Sequence, residues 1–171
     1  MKITLVMVTT IDGKIARNEH HFVDWSSRED KRVFFGATKK AGVLIVGHNT
    51  FQTFSAPLPG RLHIVITSTT EDKTNIPGVV EYTSASPEEI VADLEARGYE
   101  EAALTGGAQV NALFLKAGLI DEISLTIEPL IFGSGLDLFR GAEFDVRAEL
   151  LSVDKLNDSG TLHLRYGLRR K

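Results

Sequence analysis

Val43-Leu44-Ile45-Val46 is apolar at every position and stops at Gly47, and no other feature limits the fold so sharply. A strand with apolar side chains on both sides must be covered on both faces, as parallel strands between helices are. Ile64-Val65-Ile66 repeats the pattern after the turn Pro57-Leu58-Pro59-Gly60, and Ala102-Ala103-Leu104-Thr105 repeats it before Gly106-Gly107. Ile3 to Thr10 and Val79 to Thr83 read as two further strands.

Helix signals separate these runs. Ser27, with Asp30 three residues on, resembles a capping signal and opens a helix to about Lys40 that carries Val33, Phe34 and Ala37 on one face. A short helix follows from Asn49. Ser86 as N-cap, Pro87 at the first helical position, Glu89 at the capping-box position and Gly98 past the end delimit the clearest helix. Ala108 to Ala117, closed by Gly118, gives the next.

From Glu122 onward only strands remain: Ile123 to Phe132, Val146 to Val153, and Leu162 to Leu168, with Asp158-Ser159-Gly160 as a hairpin turn. Weak composition breaks fall near 17–24, 55–61 and 68–78, and no linker or repeat divides the chain. The order predicts a single α/β domain over residues 1–171, a three-layer sandwich with a mostly parallel central sheet and an antiparallel C-terminal hairpin.

Charge and composition exclude whole classes. Nineteen Lys and Arg against 23 Asp and Glu give a net charge of -4, and Arg169-Arg170-Lys171 is too short for a basic patch, so nucleic acid is not expected as a partner. The absence of cysteine removes disulfides, thiolate catalysis and Cys-based metal sites. No apolar run reaches membrane-spanning length and the N-terminus lacks a signal-peptide pattern, which predicts a cytoplasmic protein with no membrane contact. There is no G-x-S-x-G elbow, P-loop, H-E-x-x-H or EF-hand loop, and adjacent His20-His21 cannot both face one metal from a regular element, so no metal is expected.

Open parallel sheets bind ligands at the carboxyl ends of their strands, which directs attention to three turns. Gly106-Gly107 lies between strand and helix, where backbone N–H groups could receive a pyrophosphate, or it is an ordinary tight turn. Gly47-His48-Asn49-Thr50 repeats the arrangement, with His48 either a phosphate contact or a solvated loop histidine. Asp12-Gly13 is either a hairpin turn or the base of a closing loop with Lys14, Ile15 and Ala16. Glu29 and Asp30 suit a helix start. One of these two carboxylates, with Asp30 preferred over Glu29 by its place on the helix, would also stand at the mouth of a pocket lined by Phe34, Phe51 and Phe54, its proton affinity raised by burial, gripping the amino-pyrimidine edge of a heterocycle.

In order, these segments resemble the dihydrofolate reductase superfamily, including the reductase domain of riboflavin biosynthesis. Thr10-Ile11-Asp12-Gly13-Lys14-Ile15-Ala16 resembles the S-L-D-G-K-I-A segment of the riboflavin branch. So do Thr105-Gly106-Gly107 through Asn111, Ala117-Gly118-Leu119-Ile120-Asp121-Glu122, and Pro129 with Gly133 and Gly135. Gly47-His48-Asn49-Thr50-Phe51 and Pro57-Leu58-Pro59-Gly60-Arg61 resemble the dihydrofolate reductases themselves, with His48 where those enzymes usually carry Arg.

The resemblance implies an NADPH-dependent oxidoreductase delivering hydride to a pterin-type C=N bond, with dihydrofolate the leading substrate. A riboflavin-pathway pyrimidine reductase and a non-catalytic nucleotide-binding module are the alternatives; a bifunctional enzyme with an amino-terminal deaminase is not expected. Gly47, His48, Asn49, Thr50, Thr67 and Ser68 would bind the adenosine-phosphate side of the cofactor. Gly106, Gly107, Ala108, Gln109 and Val110 would hold its pyrophosphate, Ile15 and Ala16 would neighbour the nicotinamide, and Val8 would also bind the cofactor. Asp30 would be the substrate acid, supported by Thr126, and Phe34, Phe51, Phe54 and Leu58 would line the substrate pocket. Arg61 would meet a substrate carboxylate, or Lys14 a substrate phosphate. A homodimer joined through the strand Ile123 to Phe132 is also implied.

Overall fold

Strand β1 (Lys2–Thr10) runs through the middle of an eight-stranded sheet in the computed structural model, which describes residues 1–19 and 21–169. His20 of the His20-His21 pair and Arg170 and Lys171 of the basic terminus lie outside the described residues. β1 is parallel to β6 (Glu101–Leu104) on one side and β7 (Glu122–Glu128) on the other. Beyond β6 come β3 (Val43–Gly47), β4 (Leu62–Ile66) and β5 (Val80–Thr83), all parallel. Beyond β7, β10 (Leu162–Leu168) and then β9 (Ala148–Lys155) pair antiparallel. A separate small ladder joins β2 (Lys14–Ala16) to β8 (Leu136–Asp137).

Helices cover both faces, completing the three layers. On one face Ile90, Val91 and Leu94 of α3 (Pro87–Ala96) and Val110, Phe114 and Leu115 of α4 (Ala108–Lys116) pack on Ile3, Leu5, Val43, Ile45 and Leu104. On the other, Phe34 of α1 (Arg28–Ala41) and Phe51 of α2 (His48–Phe51) meet Leu44, Val46 and Val65. All five residues of β3 are therefore buried, the outcome its unbroken apolar run demands. Each of its four aliphatic side chains contributes about 1.5–3 kcal/mol by leaving water.

The capping signals are realised atom by atom. Ser27 Oγ accepts the Asp30 N–H at 3.1 Å, and Ser86 and Glu89 close a reciprocal capping box at 3.2 and 2.8 Å. α1 ends at Gly42, whose φ of 71° lets its N–H return to the Thr38 carbonyl at 3.2 Å.

Several boundaries differ from the sequence pattern. β7 ends at Glu128 rather than Phe132, because Pro129 has no N–H to give and the Leu130 N–H turns back to the Glu128 carbonyl at 2.7 Å. β9 starts at Ala148, two residues after Val146, and a bulge between Arg165 and Tyr166 shifts its pairing. Val79 belongs to a turn, donating to the Ile76 carbonyl at 2.9 Å, and β5 begins at Val80. Asp12-Gly13 does turn the chain, with Gly13 at φ 76°, but β2 then pairs with β8 instead of folding back on β1. Among the described residues no helix is long and apolar enough to cross a membrane, and no three His, Asp or Glu side chains gather as a metal-binding group.

Candidate active site

A cavity of about 1300 Å³ opens where β1, β3, β4 and β6 end. Two helices begin at its wall. α2 starts after Gly47 and α4 after Gly107, and neither has a side-chain cap, so the first-turn N–H groups are left for a ligand to satisfy. The two turns are packed together: the Gly47 N–H donates to the Gly106 carbonyl at 2.7 Å. A Cβ on Gly47 would stand 3.1 Å from Val110 Cγ2, and one on Gly107 would stand 3.0 Å from Thr50 Oγ1. The glycines thus permit a close backbone approach that any side chain would fill.

These features fit a dinucleotide. Val8, Ile15, Ala16, Gly47, His48, Asn49, Thr50, Thr67, Ser68, Gly107, Ala108, Gln109 and Val110 all line the one cavity. His48 Nδ1 is buried there without a hydrogen-bond partner, a polar atom in want of one. Gly106 is not in the wall; its carbonyl is spent on Gly47.

At the other end of the cavity Asp30, Phe34, Phe54 and Leu58 stand together. Asp30 is buried, and desolvation raises its proton affinity above the ordinary carboxylate value, with the Glu128 charge acting in the same direction. The Ser26 and Thr126 hydroxyls oppose this, although Ser26 Oγ lies outside good hydrogen-bond geometry. Thr126 is itself buried behind Asp30 rather than exposed to the cavity. Deeper in the same sheet face Ser124 Oγ and His163 Nε2 are 2.8 Å apart, and burial lowers the His163 proton affinity.

Besides Gly106 and Thr126, three further sequence candidates stand away from the cavity wall. Phe51 packs against Phe54, His63 and Tyr82 and lines a smaller side cavity of about 390 Å³. Lys14 pairs with Asp137 across the β2–β8 ladder. Arg61 is buried beneath α1 and donates to Thr38 Oγ1 at 3.0 Å, the Pro59 carbonyl at 2.8 Å and the Phe35 carbonyl at 2.9 Å. These bonds tie the C-terminal half of α1 to the turn before β4.

The wall also contains residues that pattern reading passed over. Asn18, Glu19, His21, Phe22, Val23 and Asp24 close one side, and Arg140 and Lys31 bring positive charge to the mouth. Segment 17–24 carries no periodicity and was legible only as a composition break. Phe132 holds Arg17 at one end of it, 3.9 Å over its ring, and Trp25 just beyond the other, edge-on at 5.2 Å. Phe132 is in turn fixed by Asp12, whose carboxylate accepts the N–H groups of Phe132 and Gly133 at 3.1 and 2.8 Å.

Comparison with known proteins gives the family and the fold. Residues 1–162 match the family described as the RibD C-terminal domain, and the chain belongs to that family. Its fold is shared with a diaminohydroxyphosphoribosylaminopyrimidine deaminase/5-amino-6-(5-phosphoribosylamino)uracil reductase of Thermotoga maritima, at 19% identity and a TM-score of 0.81 over 98% of this chain and 56% of that one. A pyrimidine reductase-like protein of Corynebacterium diphtheriae superposes with a TM-score of 0.75 at 18% identity, over 99% and 92% of the two chains. The dihydrofolate reductase of Enterococcus faecalis, solved with NADP(H), gives 0.71 at 23% identity, over 98% and 96%. The fold is thus dihydrofolate-reductase-like, as the segment resemblances implied.

Proposed function

We propose that the protein is an NADPH-dependent reductase that delivers hydride to a C=N bond of a pterin or aminopyrimidine, with dihydrofolate the first candidate. The observation that carries this reading is Asp30, a buried carboxyl with raised proton affinity. It shares one cavity with the uncapped, glycine-opened starts of α2 and α4.

Bound NADPH supplies the hydride. Backbone N–H groups of Ala108, Gln109 and Val110 would hold its pyrophosphate, while His48, Asn49, Thr50, Thr67 and Ser68 would take the adenosine-phosphate end. Val8, Ile15 and Ala16 would flank the nicotinamide. Asp30 would bind the N–H and amino edge of the heterocycle and polarise its ring, with Thr126 behind the acid and Phe34, Phe54 and Leu58 against the ring faces. The Asp12–Ala16 loop, with Asn18, Glu19 and residues 21–24 beside it, would exclude bulk water. Hydride arrives at carbon and a proton from solvent at nitrogen, so the C=N bond becomes CH–NH.

A second reading, reduction of 5-amino-6-(5-phosphoribosylamino)uracil, draws on membership of the RibD C-terminal domain family and on Arg61, which spends three of its donors inside the protein. Lys31 and Arg140, at the cavity mouth, would then meet the phosphate in place of Lys14. Loss of NADPH absorbance on adding each substrate separately, with Asp30→Asn and a no-substrate blank alongside, distinguishes the two. Turnover of neither, with cofactor bound, would favour a non-catalytic module. We also read the protein as a homodimer. β7, which begins the expected contact strand Ile123 to Phe132, is paired on both edges by β1 and β10, so the contact would fall instead on Leu150, Leu151 and Val153 of β9, about half exposed; light scattering after gel filtration would give the mass.

A further inference from the structure

Glu128, the last residue of β7, is 4% exposed, and no cation among the described residues is paired with it. Its carboxylate is held by neutral donors instead. Oε1 accepts the Ser27 N–H at 2.7 Å and Oε2 accepts the Thr161 hydroxyl at 2.6 Å. Burying an unpaired charge is costly, and neutral side chains could serve both hydrogen bonds, so the charge itself needs a reason.

The partners of Glu128 supply that reason. Ser27 is the N-cap of α1, and its Oγ receives the N–H of Asp30. Thr161 is clamped by Asn157, which accepts its N–H at 3.1 Å, donates to its hydroxyl at 2.9 Å and reaches Glu29 at 3.3 Å. Thr126, whose hydroxyl faces Asp30, sits two residues before Glu128 on the same face of the strand. One strand end therefore holds both the backbone and the side chain of the first turn of α1.

We propose that Glu128 is a positioning residue: it fixes the N-terminus of α1, and with it the Asp30 carboxyl, and keeps a second negative charge beside that acid. Charged groups from three elements face Asp30. Lys31 on α1 favours the ionised acid, Glu128 on β7 favours the protonated one, and His163 on β10, held neutral by burial, contributes only at low pH. Without Glu128 the charge that remains beside Asp30, Lys31, favours ionisation, against desolvation, which stays the largest influence. The catalytic consequence rests on the reading of Asp30 as the acid that grips substrate.

The test begins without substrate. The carboxyl of Asp30 is followed by carbon NMR through a pH titration, assigned with Asp30→Asn, in the native protein and in Glu128→Gln. Gln keeps an acceptor for the Ser27 N–H and a polar group for Thr161 but removes the charge. The Asp30 midpoint moves to lower pH in Glu128→Gln while the Ser27 amide stays protected from exchange. In Glu128→Ala that amide exchanges about tenfold faster or more, the loss of one hydrogen bond. kcat/KM for the substrate turned over then falls about tenfold or more in Glu128→Ala. In Glu128→Gln its pH profile is displaced to lower pH along with the Asp30 titration. An unmoved Asp30 titration in Glu128→Gln overturns the proposal, whether or not Glu128→Ala folds. An unchanged Ser27 amide in a folded Glu128→Ala does the same. Absence of turnover in the native protein would sink the reductase reading and leave the titration and exchange results standing.

Discussion

Gly47 donates its N–H to the Gly106 carbonyl at 2.7 Å, tying together two strand-to-helix turns that are 59 residues apart in the chain. The contact is close because neither partner carries a side chain. Ala at 47 would bring its methyl to 3.1 Å from Val110 Cγ2 and 3.4 Å from the Gly107 nitrogen, so the start of α4 would have to retreat. Gly47→Ala is therefore expected to weaken NADPH binding about tenfold or more while leaving the fold intact. Trp25, the single tryptophan, sits beside the cavity-lining residues Asp24 and Ser26, and its fluorescence on cofactor titration reads the affinity directly. Equal affinity in the variant would remove the pyrophosphate role from this turn.

Asp30→Asn separates catalysis from stability. Asn keeps the shape of the side chain but cannot carry the charge, and turnover is expected to fall about a hundredfold or more. Stability moves the other way. Because burial raises the Asp30 proton affinity above its unfolded value of 3.8, the folded state loses stability as pH climbs from that value through the raised one. The native protein and Asp30→Asn should melt alike below about pH 3.8, with the variant the more stable at pH 8. A variant that melts lower at pH 8 would place Asp30 in a stabilising contact instead.

The layers of this fold were legible because burial leaves a periodic record. Val43 to Val46 had to lie between helices, and Ser86, Pro87 and Glu89 marked a helix start that the structure reproduces to the residue. Much of the cavity wall was legible as well, since Gly47 and Gly107 stand at strand ends where parallel sheets bind ligands. Long-range polar pairing left no such record. Glu128 meets Ser27 across 101 positions and Arg61 meets Phe35 across 26, and neither separation follows a helical or strand period. β2 and β8 are three and two residues long, too short for an alternation to register.

Asp12 predicts an acid-sensitive latch. Its carboxylate takes the Thr10 hydroxyl at 2.5 Å and two backbone N–H groups from the 132–133 turn, which lowers its pKa to about 2. A carboxylate whose folded value lies below its unfolded 3.8 adds stability above that pH and loses it as the pH falls to about 2. Asp12→Ala should accordingly be less stable than the native protein at pH 5, with the gap closing by pH 2. Urea unfolding at pH 5, 3 and 2 measures it, and a gap that persists at pH 2 would mean that packing, not charge, holds the turn.

Arg61 decides between two substrates as well as between two roles. If its guanidinium is a brace, truncation leaves Thr38 and the carbonyls of Pro59 and Phe35 without their donor inside a buried site, at a cost of about 2–4 kcal/mol. Arg61→Ala would then unfold at lower urea concentration while the KM of a phosphorylated pyrimidine stays within about twofold of native, because binding energy would be unchanged to within about 0.4 kcal/mol. If instead the guanidinium turns its two remaining donors toward a substrate carboxylate, the KM for dihydrofolate rises about tenfold or more in the same variant, the loss of a charge-assisted contact. Arg61→Lys sharpens the comparison. Lysine keeps the charge but lacks the planar fork, so it should fail as a brace to three separate acceptors while still attracting a carboxylate. A stability loss shared by both variants, with a KM change in neither, would make Arg61 structural and turn the choice of substrate toward the phosphate-bearing pyrimidine.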